Sequence, residues 1–262
     1  MHDYESIALE ARKEVLRIIH NAHTSHIGSN FSCVDILTVL YASILNVSPA
    51  LTENRDRMVI SKGWAAAAAY YFLYYKGIIS KEQLDSFPNK PFKGLLERSA
   101  VGVEASTGSA GHGLPVAVGI ALGAKRSGAS WKTYVLMSDG EMNIGTTWEA
   151  ALIAAHHNLN NLMVIVDVNG LQAMGPTTEI LDTRSLMAKW TAFNWEVRTV
   201  DGHRHGHLEE VLSQQPSNGK PVVILAKTVK GKGVSFMENR NEWHYRDVDD
   251  ETYIKALSEL HA

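Results

Sequence analysis

Two apolar runs that each end in an acidic turn set the strongest limit on what this chain can form. The first, Tyr134-Val135-Leu136-Met137, runs into Ser138-Asp139-Gly140, and the second, 162–166, runs into Asp167-Val168-Asn169-Gly170. Between them lies an amphipathic helical pattern, so the order reads strand, turn, helix, strand. In such a unit the two strands are parallel. Both acidic turns therefore fall on the carboxyl edge of one sheet, where open α/β sheets bind ligands. Asp139 and Asn169 then become neighbours in space. One anionic and one neutral oxygen, with a main-chain carbonyl just past the glycine, suit a hard divalent cation that also takes phosphate oxygens. The expected guest is a magnesium diphosphate. A strand ending in Asp-Gly is, taken alone, more often a plain structural turn; the pairing of two such turns points to the metal.

The rest of the chain is consistent with one α/β domain. Strands are expected at 57–61, 133–138, 162–168, 196–200 and 221–227, alternating with helical patterns, which predicts a parallel sheet with helices on both faces in three layers. At 262 residues and 45% hydrophobic content the chain is long enough for that core, and no linker, internal repeat or low-complexity tail divides residues 1–262. The apolar run at 64–75 (WAAAAAYYFLYY) is too short to span a bilayer and reads as a buried helix whose tyrosines suggest an interface. A net charge of -3 and a pI near 6.5 argue against general nucleic-acid binding. The opening Met1-His2-Asp3-Tyr4-Glu5 lacks the blocks of a signal peptide, and the single Cys33 makes no internal disulfide. A cytoplasmic protein with no membrane segment is expected.

The Ser-Asp-Gly to Asp-x-Asn-Gly spacing, with Trp148-Glu149-Ala150-Ala151 on the intervening helix, resembles the thiamine diphosphate signature of the transketolase family. Three further segments extend the resemblance over most of the chain. The string at 102–125 (GVEASTGSAGHGLPVAVGIALGAK) is glycine-rich and opens a helix. Its glycines let backbone approach a flat cofactor, and the helix N-terminus favours negative charge. Asn21-Ala22-His23-Thr24-Ser25-His26-Ile27-Gly28 resembles the family turn that carries an active-site histidine, and Lys227-Thr228-Val229-Lys230-Gly231-Lys232-Gly233 leading to Trp243-His244 resembles the closing segment of stand-alone N-terminal subunits.

The resemblance implies thiamine diphosphate as cofactor and Mg2+, replaceable by Ca2+ or Mn2+, held by Asp139, Asn169 and the Leu171 carbonyl. Gly108, Ala110, Gly111, Gly140, Glu141 and His244 join Asp139, Asn169 and Leu171 as cofactor contacts. His26 and His244 are implied to contact substrate hydroxyls or the cofactor phosphate, with imidazoles near neutral pKa suited to proton movement, and Glu149 to lie near the subunit interface where it couples cofactors. The family's pyrimidine-binding and C-terminal domains, including the catalytic glutamate, have no counterpart in this chain. The resemblance thus implies a split transketolase whose partner chain carries that glutamate, in an α2β2 heterotetramer that moves a two-carbon ketol unit from a sugar to an aldehyde. The charge-rich segment 237–250 is expected to order with the partner.

Three positions depart from the family pattern. Trp64 stands in Ser61-Lys62-Gly63-Trp64 where many members have histidine, 93–101 (KGLLERSAV) lacks the Gly-His-Pro turn, and Ile144 replaces a glutamate. An indole has one donor and no acceptor, so the substrate pocket around His26 and Trp64 is expected to be rebuilt for a modified, amino, deoxy or branched sugar. A 2-oxo acid dehydrogenase α-like chain, a pyruvate-condensing synthase and a non-catalytic scaffold are the alternative readings. The row His203, His205 and His207 allows a metal site but reads better as the turn before a surface helix.

Overall fold

A computed structural model of the chain describes residues 3–261, so Met1 and His2 of the opening segment lie outside the described residues. Five strands, β1 (Arg57–Ile60), β2 (Thr133–Ser138), β3 (Leu162–Val168), β4 (Glu196–Asp201) and β5 (Val222–Lys227), form one sheet in the order β1-β2-β3-β5-β4. Every pairing is parallel. The expected strands are matched to within a residue at their ends.

The helices are α1 (Tyr4–Asn21), α2 (Ile27–Ser32), α3 (Val34–Val39), α4 (Ala66–Tyr75), α5 (Lys81–Asp85), α6 (Gly113–Ser127), α7 (Gly145–His156), α8 (Thr177–Ile180), α9 (Leu186–Ala192), α10 (His205–Ser213) and α11 (Asp250–Glu259). Strand residues alternate between two cores, as a pleat with a period of two requires. Tyr134, Leu136, Met163, Ile165 and Ile224 pack with α1, α3, α4 and α10. Val135, Met137, Val164, Val166 and Val223 pack with α6, α7 and the indoles of Trp190 and Trp195. Burial on both faces explains why these strands read as continuous apolar runs. The three-layer α/β architecture is the one expected.

Local signals set the helix ends. Asp3 caps α1 by accepting from the Ser6 N–H at 3.2 Å. At the end of α6, Lys125 and Arg126 complement the helix dipole before Gly128 turns out at φ 73. The alanine-tyrosine run forms α4, with 66–73 buried, and no helix among the described residues is long and apolar enough to cross a membrane.

Register places the functional edge. Ser138 pairs with Asp167 and Asp167 with Ala226. The turns that follow β2, β3 and β5, starting at Asp139, Asn169 and Thr228, therefore line up along one edge of the sheet.

Candidate functional site

The two acidic turns meet directly. Asp139, 4% exposed, accepts from its neighbour Gly140 N–H at 2.9 Å through Oδ1 and from Gly170 N–H, across the strand gap, at 2.7 Å through Oδ2. Asn169 accepts from the Leu171 N–H at 3.0 Å and donates to Ser32 Oγ at 3.4 Å. Burial pushes the Asp139 carboxyl up to about 7; the Gly170 N–H opposes that shift and the nearby Asp167 charge adds to it. A carboxylate this dry and this near a second one is relieved by a divalent cation. Asp139, the Asn169 amide oxygen and the Leu171 carbonyl are a donor set that fits Mg2+.

A cavity of about 250 Å3 opens above these turns, lined by His26, Lys62, Trp64, Asn169, Leu171 and His244, with Ala110 and Gly140 at its side. Seven of the expected residues therefore share one wall. Of the other expected contacts, Asp139 faces a neighbouring cavity that shares Asn169 with this one, and the rest lie off the wall. Glu141 is fully buried, and its carboxylate accepts from Gly111 N–H (3.0 Å), Ser138 N–H (2.8 Å) and the Ser61 hydroxyl. It fastens the glycine loop to the end of β2 instead of facing a cofactor. Gly111, with φ 79, lies against Ile144, where a Cβ would come within 2.4 Å of the Ile144 side chain, and Gly108 lies under Leu95. Glu149 is exposed on the outside of α7, away from the cavity.

Two lysines carry a role that sequence reading missed. Lys62 and Lys230 are each 1% exposed. Lys62 donates to Ser29 O at 2.9 Å and Ser32 Oγ at 3.2 Å and pairs with the fully buried Asp167. Burial opposes its charge, but Asp167 outweighs burial and holds the Lys62 pKa above its ordinary value. Burial and the Lys62 charge instead push Lys230 down to about 8. Lysine is almost never fully buried unless paired: Asp167 pairs Lys62, which lines the cavity, while Lys230 lies behind its wall against His244 and the Gln172 carbonyl, so the two put positive charge on one side of the cavity. The only signal in the sequence is that each lysine precedes a glycine just after an apolar strand.

Lys230 also orients His244. Its Nζ donates to His244 Nδ1 at 3.1 Å, and an ammonium accepts nothing, so the remaining imidazole proton sits on Nε2. Burial and the Lys230 charge push His244 down to about 3. Contrary to the expectation of a near-neutral pKa, His244 is a fixed neutral donor. The pKa of His26 is also lowered, by burial and then Lys230. His26 sits at φ 75, uncommon for a residue with a Cβ. Its N–H donates to His244 O and its carbonyl accepts from Ser29 and Asn30 N–H, all at 3.1 Å, which fixes the strained turn. The segment 237–250 is not loose: Met237, Trp243, His244 and Val248 are buried. Apolar anchors every few residues outweigh its surface charge.

The histidine row is not a metal site. His203 Nδ1 and His205 Nε2 meet the Asp35 carboxylate at 2.6 and 3.0 Å, together with a bidentate Arg12, and His205 opens α10. His203 Nε2 accepts the Val229 N–H at 2.8 Å, so this ionic knot anchors the loop that carries Lys230.

Residues 5–259 match the family described as transketolase, thiamine diphosphate binding domain. An apulose-4-phosphate transketolase subunit of Phocaeicola vulgatus is 39% identical over 259 residues, 95% of this chain and 90% of that protein. The 6-deoxy-6-sulfo-D-fructose transketolase subunit of a Clostridium species is 35% identical over 265 residues, 98% of this chain and 96% of that one. Among solved structures, a transketolase from Campylobacter jejuni superposes with a TM-score of 0.91 at 29% identity; the match covers 100% of this chain but only 43% of that longer one. A cationic cavity over an Asp–Asn turn pair and these matches lead to one assignment: the chain belongs to the transketolase family, as its thiamine diphosphate-binding N-terminal part.

Proposed function

We propose that this chain is the N-terminal subunit of a split, thiamine diphosphate-dependent transketolase acting in the cytoplasm. A separate subunit supplies the catalytic glutamate, and two copies of each form a heterotetramer. The observation that carries the reading is the meeting of Asp139 with the Asn169-Gly170 turn beside two buried lysines. Asp139, Asn169 and the Leu171 carbonyl would hold Mg2+ against the diphosphate, and Lys62 and Lys230 would balance its remaining charge. Bound thiamine diphosphate would supply a carbon nucleophile that stores the electron pair of the broken carbon–carbon bond. His244 offers its Nε2 proton to an oxygen in the cavity, and His26 stands against Trp64 with ring centroids 6.4 Å apart, at the side from which a sugar would approach. Glu149 and the exposed Leu152 and Ile153 of α7, 56% and 48% accessible, suit a partner-facing surface.

Trp64 in the cavity wall supports a modified sugar as substrate. So do the two relatives, whose names give apulose-4-phosphate and 6-deoxy-6-sulfo-D-fructose as their sugars. Turnover of xylulose 5-phosphate with ribose 5-phosphate at ordinary transketolase rates would defeat that part of the proposal.

Calorimetric titration of thiamine diphosphate with magnesium, into the chain alone and mixed with its partner, tests the core. Binding that tightens with the partner and is lost in Asp139→Ala is expected. No binding in either format would make a non-catalytic scaffold the better reading.

A further inference from the structure

Asp35, in the first turn of α3, is buried and gathers donors from two other segments. Arg12 of α1 meets it through Nη1 at 3.1 Å and Nη2 at 2.6 Å, and the rings of His203 and His205 meet it from the turn after β4. Two of these partners reach on to one loop. His203 Nε2 accepts the Val229 N–H at 2.8 Å, and Arg12 Nε donates to the Lys232 carbonyl at 2.9 Å. Between those holds the Gly231 N–H donates to Gly28 O at 3.0 Å, and Lys230 directs its Nζ at His244 Nδ1 and the Gln172 carbonyl. A loop this short, held at both ends and at its middle, leaves Lys230 little freedom of position.

The protons on two rings are linked through that loop. A neutral imidazole donates at one nitrogen and accepts at the other, and the Asp35 carboxylate can only accept. His203 therefore carries its proton on Nδ1 and turns a bare Nε2 to Val229. The opposite tautomer would set a lone pair against the carboxylate and an N–H against the Val229 N–H, leaving both unsatisfied. Val229 in turn holds the loop that brings the Lys230 ammonium to His244 Nδ1, which leaves the His244 proton on Nε2. The Ser29 hydroxyl, 3.5 Å from the same nitrogen, can donate or accept and so does not choose. Resting on the transketolase reading above, we propose that Asp35 and His203 are positioning residues for the cofactor site. They form a tautomer relay: the buried carboxylate fixes the His203 proton, His203 fixes the Lys230 loop, and Lys230 fixes the proton that His244 offers. Both lie off the wall of the cavity that His244 lines, so the control is exerted from behind the site. It keeps His244 a permanent donor in place of a ring that must choose a tautomer when a ligand arrives.

The experiment uses the two-subunit assembly with 15N-labelled histidine in this chain only, near neutral pH and so below the Lys230 value of about 8. Ring 15N shifts report which nitrogen carries the proton, and calorimetry then follows the uptake of thiamine diphosphate with magnesium. In the wild type His203 should show Nδ1–H and His244 Nε2–H, each as a single form. His203→Phe keeps a ring but offers neither donor nor acceptor. His244 should become a mixture of tautomers there, and thiamine diphosphate should bind about fivefold weaker as Lys230 leaves its place. His203→Gln supplies one amide donor and one acceptor and should restore both readouts. If His203 served stability alone, His203→Phe would lower the unfolding midpoint and leave the His244 proton on Nε2; that result overturns the proposal. A wild-type spectrum with a proton on His203 Nε2 or on His244 Nδ1 overturns it as well, and depends on no variant folding. So does a His203→Gln assembly that behaves like His203→Phe. Failure of the wild-type assembly to take up thiamine diphosphate, with both tautomers as stated, would instead overturn the functional reading beneath it.

Discussion

Replacing Lys62 by methionine isolates the buried charge beneath the site. Lys62 and Asp167 side chains are 1% and 0% exposed, and Asp167 also accepts from the Ser32 hydroxyl at 2.5 Å and from the Thr228 hydroxyl. In Lys62→Met the two hydroxyl donors remain while the counter-charge goes. Removing one partner of such a pair costs about 3–5 kcal/mol because the surviving charge stays in a dry site. Set against a total stability on the order of 5–15 kcal/mol, that is a large fraction. At ~2–4 °C per kcal/mol for a chain of this size, the melting temperature should fall by roughly 6–20 °C. Adding Asp167→Asn removes the stranded charge and leaves the amide oxygen to accept from the Thr228 hydroxyl and the amide N–H to donate to Ser32 Oγ, so the double variant should regain at least half the loss. Urea unfolding of wild type, single and double variants measures both numbers. Thiamine diphosphate affinity should stay depressed in the double variant, since the cation is still missing from the cavity floor. A single-variant loss below about 1 kcal/mol, the value of an exposed pair, or a double variant no more stable than the single, would refute the reasoning.

Burial alone would lower His205, but the Asp35 and Glu5 carboxylates outweigh it and raise its pKa above the ordinary 6.5. The folded chain then holds that proton more tightly than the unfolded one, so this stabilisation is fully present below 6.5 and is lost as pH rises through the folded value. The stability difference between wild type and His205→Gln should accordingly shrink across the neutral-to-alkaline range, and a pH-independent difference in urea midpoints would count against it. Gly63→Ala would put a Cβ 2.6 Å from the Gly108 N and Thr107 C atoms. Because the neighbour is backbone, a loss of about 1–3 kcal/mol and weaker cofactor binding by calorimetry are expected; unchanged values would show that the glycine loop moves freely. Trp64→His should create or raise activity with ordinary ketose phosphates in the assembled enzyme. A variant as inactive as wild type on those sugars would favour a dead pocket over a rebuilt one.

The meeting of the two acidic turns was legible because it follows from strand order and from local turn chemistry at the strand ends. Asp139 and Asn169 could be placed together once their strands read as parallel, and the structure joins them through the Gly170 N–H. Glu141 shows where motif reading misleads: a carboxylate two residues past Asp139 looks like a cofactor contact, yet its partners Ser61 and Gly111 are distant in sequence. His244 shows the same for electrostatics, since nothing in Trp243-His244-Tyr245 tells that Lys230 lies against its ring.

The sequence by itself determined the α/β order, the five strands and the turns that hold Asp139 and Asn169. Those follow from apolar periodicity and backbone preference within a few residues. Only the tertiary structure decided which lysines lose their water, which glutamate is consumed in fastening a loop, and that Asp35 reaches the Lys230 loop through His203. Desolvation, charge pairing and cavity shape are set by segments hundreds of positions apart: His244 meets Ser29 across 215 residues, and His203 reaches Asp35 across 168. No local pattern in a chain carries that information, because the energy of a buried charge depends on every neighbour that replaces its water.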